Sequence, residues 1–171
     1  IIRVPSLSSF EVAKIIKKKI DVSKEEAKVF GRLSEGIPGK GLELALSSEY
    51  RKFREETLDL IEKLSMGSLM DALNYMEYME DNKENIGEIL DLIELWMRDI
   101  LVLKGDYNKD LIINGDKITR LRPLANVFTF SNIQCIIDAI EDSKKKLISY
   151  ANFRLTLEGL LMNIQGSGEY A

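Results

Sequence analysis

The chain has 171 residues, 45% hydrophobic and 30% charged, which is enough apolar material for one ordinary domain or two small ones. With no histidine and a single cysteine, Cys135, it has no His-based triad, no His metal ligand and no internal disulfide. Residues 1–46 hold 9 Lys and Arg against 6 Asp and Glu, a balance of +3, so the formal charge of −4 leaves −7 on the remainder, the reverse of a DNA-tracking surface.

The opening, "IIRVPSLSS", has neither an initiating Met nor a signal-peptide pattern and reads as the middle of a longer protein. Ser8-x-x-Glu11 and Ser23-x-x-Glu26 are capping boxes, each predicting a short helix. The first carries Val12, Ile15 and Ile16 on one face, the second Ala27, Phe30 and Leu33. A third begins near Gly39 with Leu42, Leu44 and Leu46, and "SSEY" then offers a fresh cap. Longer helices are expected at about 48–64, 68–80 and 82–103. The last carries Ile86, Ile89, Leu90, Ile93, Met97, Ile100 and Leu101 at spacings of three and four, and ends at Gly105, expected as a left-handed cap. "DYNKDLIINGDK" is the longest irregular stretch and holds an Asn-Gly turn; only "DLIIN" hints at a strand.

A helix over about 117–128 is expected to break or kink at Pro123. Ser131 is expected to cap a long one with Ile133, Ile136, Ile137, Ile140, Leu147 and Ile148 inward. The final helix starts near Asn152 and carries Leu155, Leu157, Leu160, Leu161 and Ile164. The expected class is all-α in two parts: a three-helix unit over 1–46 and a helical bundle over 47–171. No apolar run reaches the roughly 18 residues of a membrane span.

Candidate sites start with "SEGIPGKGLELAL", Ser34 to Leu46. A Gly-rich turn with a lysine before a helix is one way to hold a phosphate. The P-loop pattern fails at both ends, because Ser34 stands where its first Gly belongs and Gly41 follows Lys40. Gly36-Ile37-Pro38-Gly39 matches a KH-type GXXG but lacks its sheet. By spacing alone a phosphate contact and a helix-linking turn both stay open, with the turn the stronger reading. Asp106, Asn108 and Asp110 begin like a calcium loop, but Leu111 and Lys117 occupy its Gly and Glu positions.

Lys17 to Lys19 and Lys144 to Lys146 sit late in helices, where cations suit the macrodipole. Met66, Met70, Met76 and Met79 are expected as core filling, and Cys135, flanked by isoleucines, as a buried small side chain. "LWMRD" suggests Trp96 in packing and an ion pair of Arg98 with Asp99, with interface use open.

Three segments in order resemble the clamp-loader AAA+ family. "GRLSEGIPGKGLELA" is similar to the end of that family's lid subdomain, with Gly39-Lys40-Gly41-Leu42 in its Gly-Arg-Ala-Leu pattern. "IELWMRDILVLKG" resembles the Trp-x-Arg-Asp helix of the collar domain. "YANFRLTLEGLLMNI" resembles the closing collar helix through Asn152, Leu155, Leu157, Glu158, Leu160 and Leu161, with Tyr150 in place of an Asn. Within the family, the delta-prime subunits of bacterial DNA polymerase III are the branch resembled.

The resemblance implies a nucleotide-binding AAA+ module before Ile1, a lid over 1–46 and a collar over 47–171 that joins gamma/tau and delta subunits. Sliding clamp and primed DNA would be met only within the whole complex, in a bacterial cytoplasm. It implies a rigid, non-catalytic subunit with no cofactor in this segment. Lys40 would stand at the sensor-2 position beside Gly36 and Gly39, where ATP-binding relatives carry Arg. Trp96, Arg98, Asp99, Asn152, Arg154 and Glu158 would be interface residues. Competing expectations are a gamma/tau-type ATP-binding subunit, an unrelated helical adaptor, and an enzyme using Glu77, Glu80 and Asp81.

Overall fold

The computed structural model describes residues 7–66, 69–105 and 108–166, excluding the side chains of 69–74, 109 and 166. The expected roles of Met70 and Asp106 lie outside them. Among the described residues every regular element is helical. Two compact units form, one within Ile1–Glu55 and Ile112–Ile118, the other within Glu56–Leu111 and Thr119–Ala171.

In the first unit, α1 (Ser9–Lys19) and α2 (Lys24–Leu33) each begin with a complete capping box, Ser8 with Glu11 and Ser23 with Glu26. Each box satisfies orphan amides of a first turn from residues three apart, which is why it was readable in the sequence. The core is Val12, Ala13, Ile16, Val22, Ala27, Phe30 and Ala45. The buried face of α3 (Pro38–Leu46) is Gly41 and Ala45, while Leu46 is exposed. Small residues go inward because α3 lies close to α1: a Cβ on Gly41 would meet Val12 at 2.9 Å.

Gly31 makes an even closer approach, since a Cβ there would stand 2.4 Å from the Ser9 carbonyl oxygen and 2.9 Å from Ala13. Gly31→Ala is expected to destabilise this unit by about 2 kcal/mol, the overpacking cost exceeding the helix-propensity gain of about 1 kcal/mol. Urea denaturation would measure it, and an unchanged or raised midpoint would contradict the contact.

The Ser23 backbone N–H, then its hydroxyl and Arg51, hold the Glu26 carboxyl below the usual carboxylate range against its partial burial. A carboxyl lowered in the folded state contributes stability that is complete above its unfolded value and lost as pH falls through its folded value. Glu26→Gln should therefore lower the melting temperature at pH 7, and its gap from wild type should shrink toward about pH 3. A gap that widens in acid would refute the assignment.

The opening of α4 (Ser48–Met66) belongs to the same unit. Ser47 Oγ accepts from the Tyr50 amide, as the "SSEY" cap predicts. Tyr50 stacks at a tilt on Phe30, and Arg51 bonds both Glu26 and the Ala45 carbonyl. These ties carry the first unit past the Leu46/Ser47 boundary expected from sequence, to Glu55.

Residues 112–118 join it too. "DLIIN" is not a strand there: Lys109–Leu111 and Gly115–Lys117 are single 3-10 turns, with Ile112 and Ile113 buried between them. Asn114 and Gly115 lead into the second of these, and Asn114 keeps a negative φ. Arg54, 5% exposed, donates to Asp116 Oδ2 at 2.8 Å, Asp116 Oδ1 at 3.0 Å and Asn114 Oδ1 at 2.7 Å.

The second unit is built on α6 (Ile86–Lys104), preceded by the end of α4, by α5 (Leu69–Asp81) and by a 3-10 turn at Lys83–Asn85. α6 is buried nearly all round: Leu92 and Trp96 join Ile89, Ile93, Met97 and Ile100 in the core. Surplus apolar positions on α6 are thus spent on the unit's own core, as a helix apolar on every side requires. Gly105 ends it at φ −80°, a right-handed conformation and not the left-handed cap expected.

Helix α7 (Ile118–Val127) runs unbroken through Pro123. Thr129, and not Ser131, caps α8 (Phe130–Ile148) in a capping box with Asn132, so α8 starts a residue before Ser131. α8 packs on α6, and α9 (Phe153–Gly166) on α8 and α5.

Leu157, Leu160, Leu161 and Ile164 of α9 point inward, but Leu155 is exposed, as is Ile148 at the end of α8. Cys135 is exposed, one step around α8 from the buried Ile136, and Met66 is exposed where core filling was expected, whereas Met76 and Met79 are buried. No helix among the described residues is long and apolar enough to cross a membrane.

Candidate functional surfaces

The Gly-rich turn lies in the first unit. α2 ends at Ser34, whose hydroxyl turns back to the Gly31 carbonyl, and two left-handed residues follow, Glu35 at φ 53° and Gly36 at φ 83°. Gly36 occupies a conformation that costs glycine nothing, and its carbonyl accepts from the Leu7 amide. Pro38 then opens α3 at a position whose missing amide would be unpaired in any case.

Lys40 points back across this turn, with Nζ 2.6 Å from Glu35 Oε1. That hydrogen bond, with the charge behind it, holds the exposed Glu35 carboxyl below the usual range. Gly39 faces open space. Gly36, Gly39 and Lys40 are therefore gathered in one turn, with the ammonium engaged by Glu35 and not held out to solvent alone.

The residues expected at an interface divide between core and surface of the second unit. Trp96 and Asp99 have no exposed area, so in the single chain neither offers a contact. Trp96 Nε1 has no hydrogen-bond partner among the described residues, and the Arg120 guanidinium lies 5.9 Å from its ring centre. Arg120 is fixed by Asp59 Oδ1 at 2.7 Å and Glu62 Oε2 at 2.6 Å. Arg98 pairs with Asp99 at 3.5 Å and donates to the Leu111 carbonyl at 3.1 Å. This segment organises the bundle around Trp96.

Asn152, Arg154 and Glu158 lie on the surface at the start of α9. Asn152 Oδ1 accepts from the Leu155 amide, a side-chain cap. Arg154 Nε donates to Glu158 Oε1 at 2.8 Å, and Nη1 reaches Glu80 on α5 at 3.3 Å. Glu80 thus has a cationic partner that the sequence did not indicate.

Beside this network runs an apolar stripe. Leu155 is 70% exposed, Met162 is 63% exposed, and Gly159 between them has nothing within 4 Å of where its Cβ would be. Residues 155, 159 and 162 fall on one side of a helix, and their spacing of four and three was available in the sequence. What hid the stripe was the inward pull expected of every leucine.

No curated protein matches the chain. Residues 49–166 match the family described as DNA polymerase III, delta subunit, C terminal, which covers well over half of the chain and almost all of its second unit. The match and the all-helical architecture agree on one assignment: this chain belongs to that DNA polymerase III clamp-loader family.

Proposed function

We propose that the chain is the lid (1–46) and collar (47–171) of a delta-prime-type clamp-loader subunit. In this reading it performs no catalysis and carries no cofactor. It joins gamma/tau and delta subunits through its collar in a bacterial cytoplasm, and the assembled complex uses ATP to place a sliding clamp on primed DNA. The observation that carries the reading is the family match over 49–166.

Lys40 supports the delta-prime branch, because a lysine keeps the charge of a sensor arginine but loses its two-pronged grip on phosphate. Its pairing with Glu35 supports the same branch, since a phosphate would have to displace that carboxylate. The α9 stripe supports assembly: three positions of exposed, low-relief apolar surface suit a neighbouring helix. Co-expression with gamma/tau and delta subunits tests the reading. The chain should elute with both, and calorimetry should show no micromolar Mg-ATP binding to residues 1–171. Separate elution would defeat the assembly role, and micromolar nucleotide affinity would favour a gamma/tau-type subunit.

A further inference from the structure

The first unit carries a cleft of about 640 Å³ between the end of α1 and the start of α3. Ile15, Leu42 and Pro38 give it an apolar floor, Gly39 leaves one wall open, and Lys18 and Lys19 stand at the rim. Neither lysine forms an ion pair among the described residues. By contrast Lys40, Lys117, Lys144, Lys145 and Lys146 are each matched to a carboxylate. The nearby acids are already engaged, Glu11 by Ser8, Glu26 by Ser23 and Arg51, and Glu35 by Lys40. Unmatched positive charge therefore borders an unfilled apolar floor.

We infer that this cleft docks an acidic protein segment, with an aliphatic or aromatic side chain on the Ile15–Leu42–Pro38 floor and flanking carboxylates on Lys18 and Lys19. Charge complementarity selects the partner's sign, and the floor selects its kind. A peptide side chain can fill an apolar floor, whereas a phosphodiester backbone would leave it empty. A chain with a net charge of −4 also disfavours a long polyanion. The inference is independent of the clamp-loader reading and rests on the first unit alone.

The probe is a fluorescein-labelled peptide, acetyl-Glu-Asp-Leu-Phe-Glu-Asp, titrated into the 171-residue chain and followed by anisotropy. A Gln-Asn-Leu-Phe-Gln-Asn control and a twelve-residue oligothymidylate run beside it. The acidic peptide should bind saturably and weaken with salt, and the amide control should not bind. Lys18→Gln with Lys19→Gln should weaken binding about tenfold, as two rim ion pairs would. Gly39→Leu, which meets open space and so leaves the fold intact, should block it.

Lys145→Gln with Lys146→Gln should leave binding unchanged. Lysines that served only the α1 dipole would shift the melting temperature without moving the peptide isotherm. That result overturns the inference, as do equal binding of the amide control, oligothymidylate binding lost with the same lysines, or no saturable binding.

Discussion

Asp116→Ala should destabilise the first unit by about 3 kcal/mol or more, because it strands the Arg54 guanidinium in the interior. Arg54 and Asp116 side chains are 6% and 11% exposed, and Asp116 supplies two of the three oxygens that Arg54 reaches. Arg54 Nε already lacks a partner among the described residues, so little remains to solvate the charge once the carboxylate is gone. The loss should appear as a lower urea midpoint and as faster amide exchange in 112–118 and the first turns of α4. Arg54→Met with Asp116→Leu should recover much of it, since an apolar pair removes the stranded charge along with the bond. A single-variant loss below about 1 kcal/mol would mean that Arg54 reaches water without moving the clasp.

Leu155→Asp with Met162→Asp should abolish assembly while leaving the chain folded. Both side chains are mostly exposed, so the cost to the monomer should stay within about 0.5 kcal/mol and the helical circular dichroism should persist. At a helix-to-helix contact each would instead forfeit about 1.5–3 kcal/mol of apolar burial, together about a hundredfold or more in affinity. Gly159→Trp reports on the same contact by bulk alone, since its Cβ direction is open in the single chain. Co-elution of the double variant with both partner subunits would remove α9 from the interface.

Trp96 and Asp99 are poor targets for such a test despite the resemblance that singles them out, because they are buried within the chain itself. A substitution at either would remove binding by unfolding the bundle, and the two effects would be indistinguishable. Leu155 and Met162 avoid that difficulty.

The all-α class and the starts of several helices follow from the sequence itself, because their physics is local. The Ser8 and Ser23 boxes join residues three apart, the 3.6-residue period of α6 repeats within one helix, and the Ser47 and Asn152 caps act on the next turn. The Gly36 turn was also legible, since few residues other than glycine accept its φ.

Which face of a helix is covered depends on what packs there, and only the tertiary structure decided that. It turned Leu155, Ile148 and Cys135 outward and Leu92 and Trp96 inward, though all lie in similar apolar surroundings along the chain. It placed Gly41 and Ala45 against α1 in preference to the leucines of α3, because close approach favours small side chains. It set Arg54 against Asp116 and Lys40 against Glu35, the first across 62 positions of sequence that no periodicity spans, and so drew residues 112–118 into the first unit.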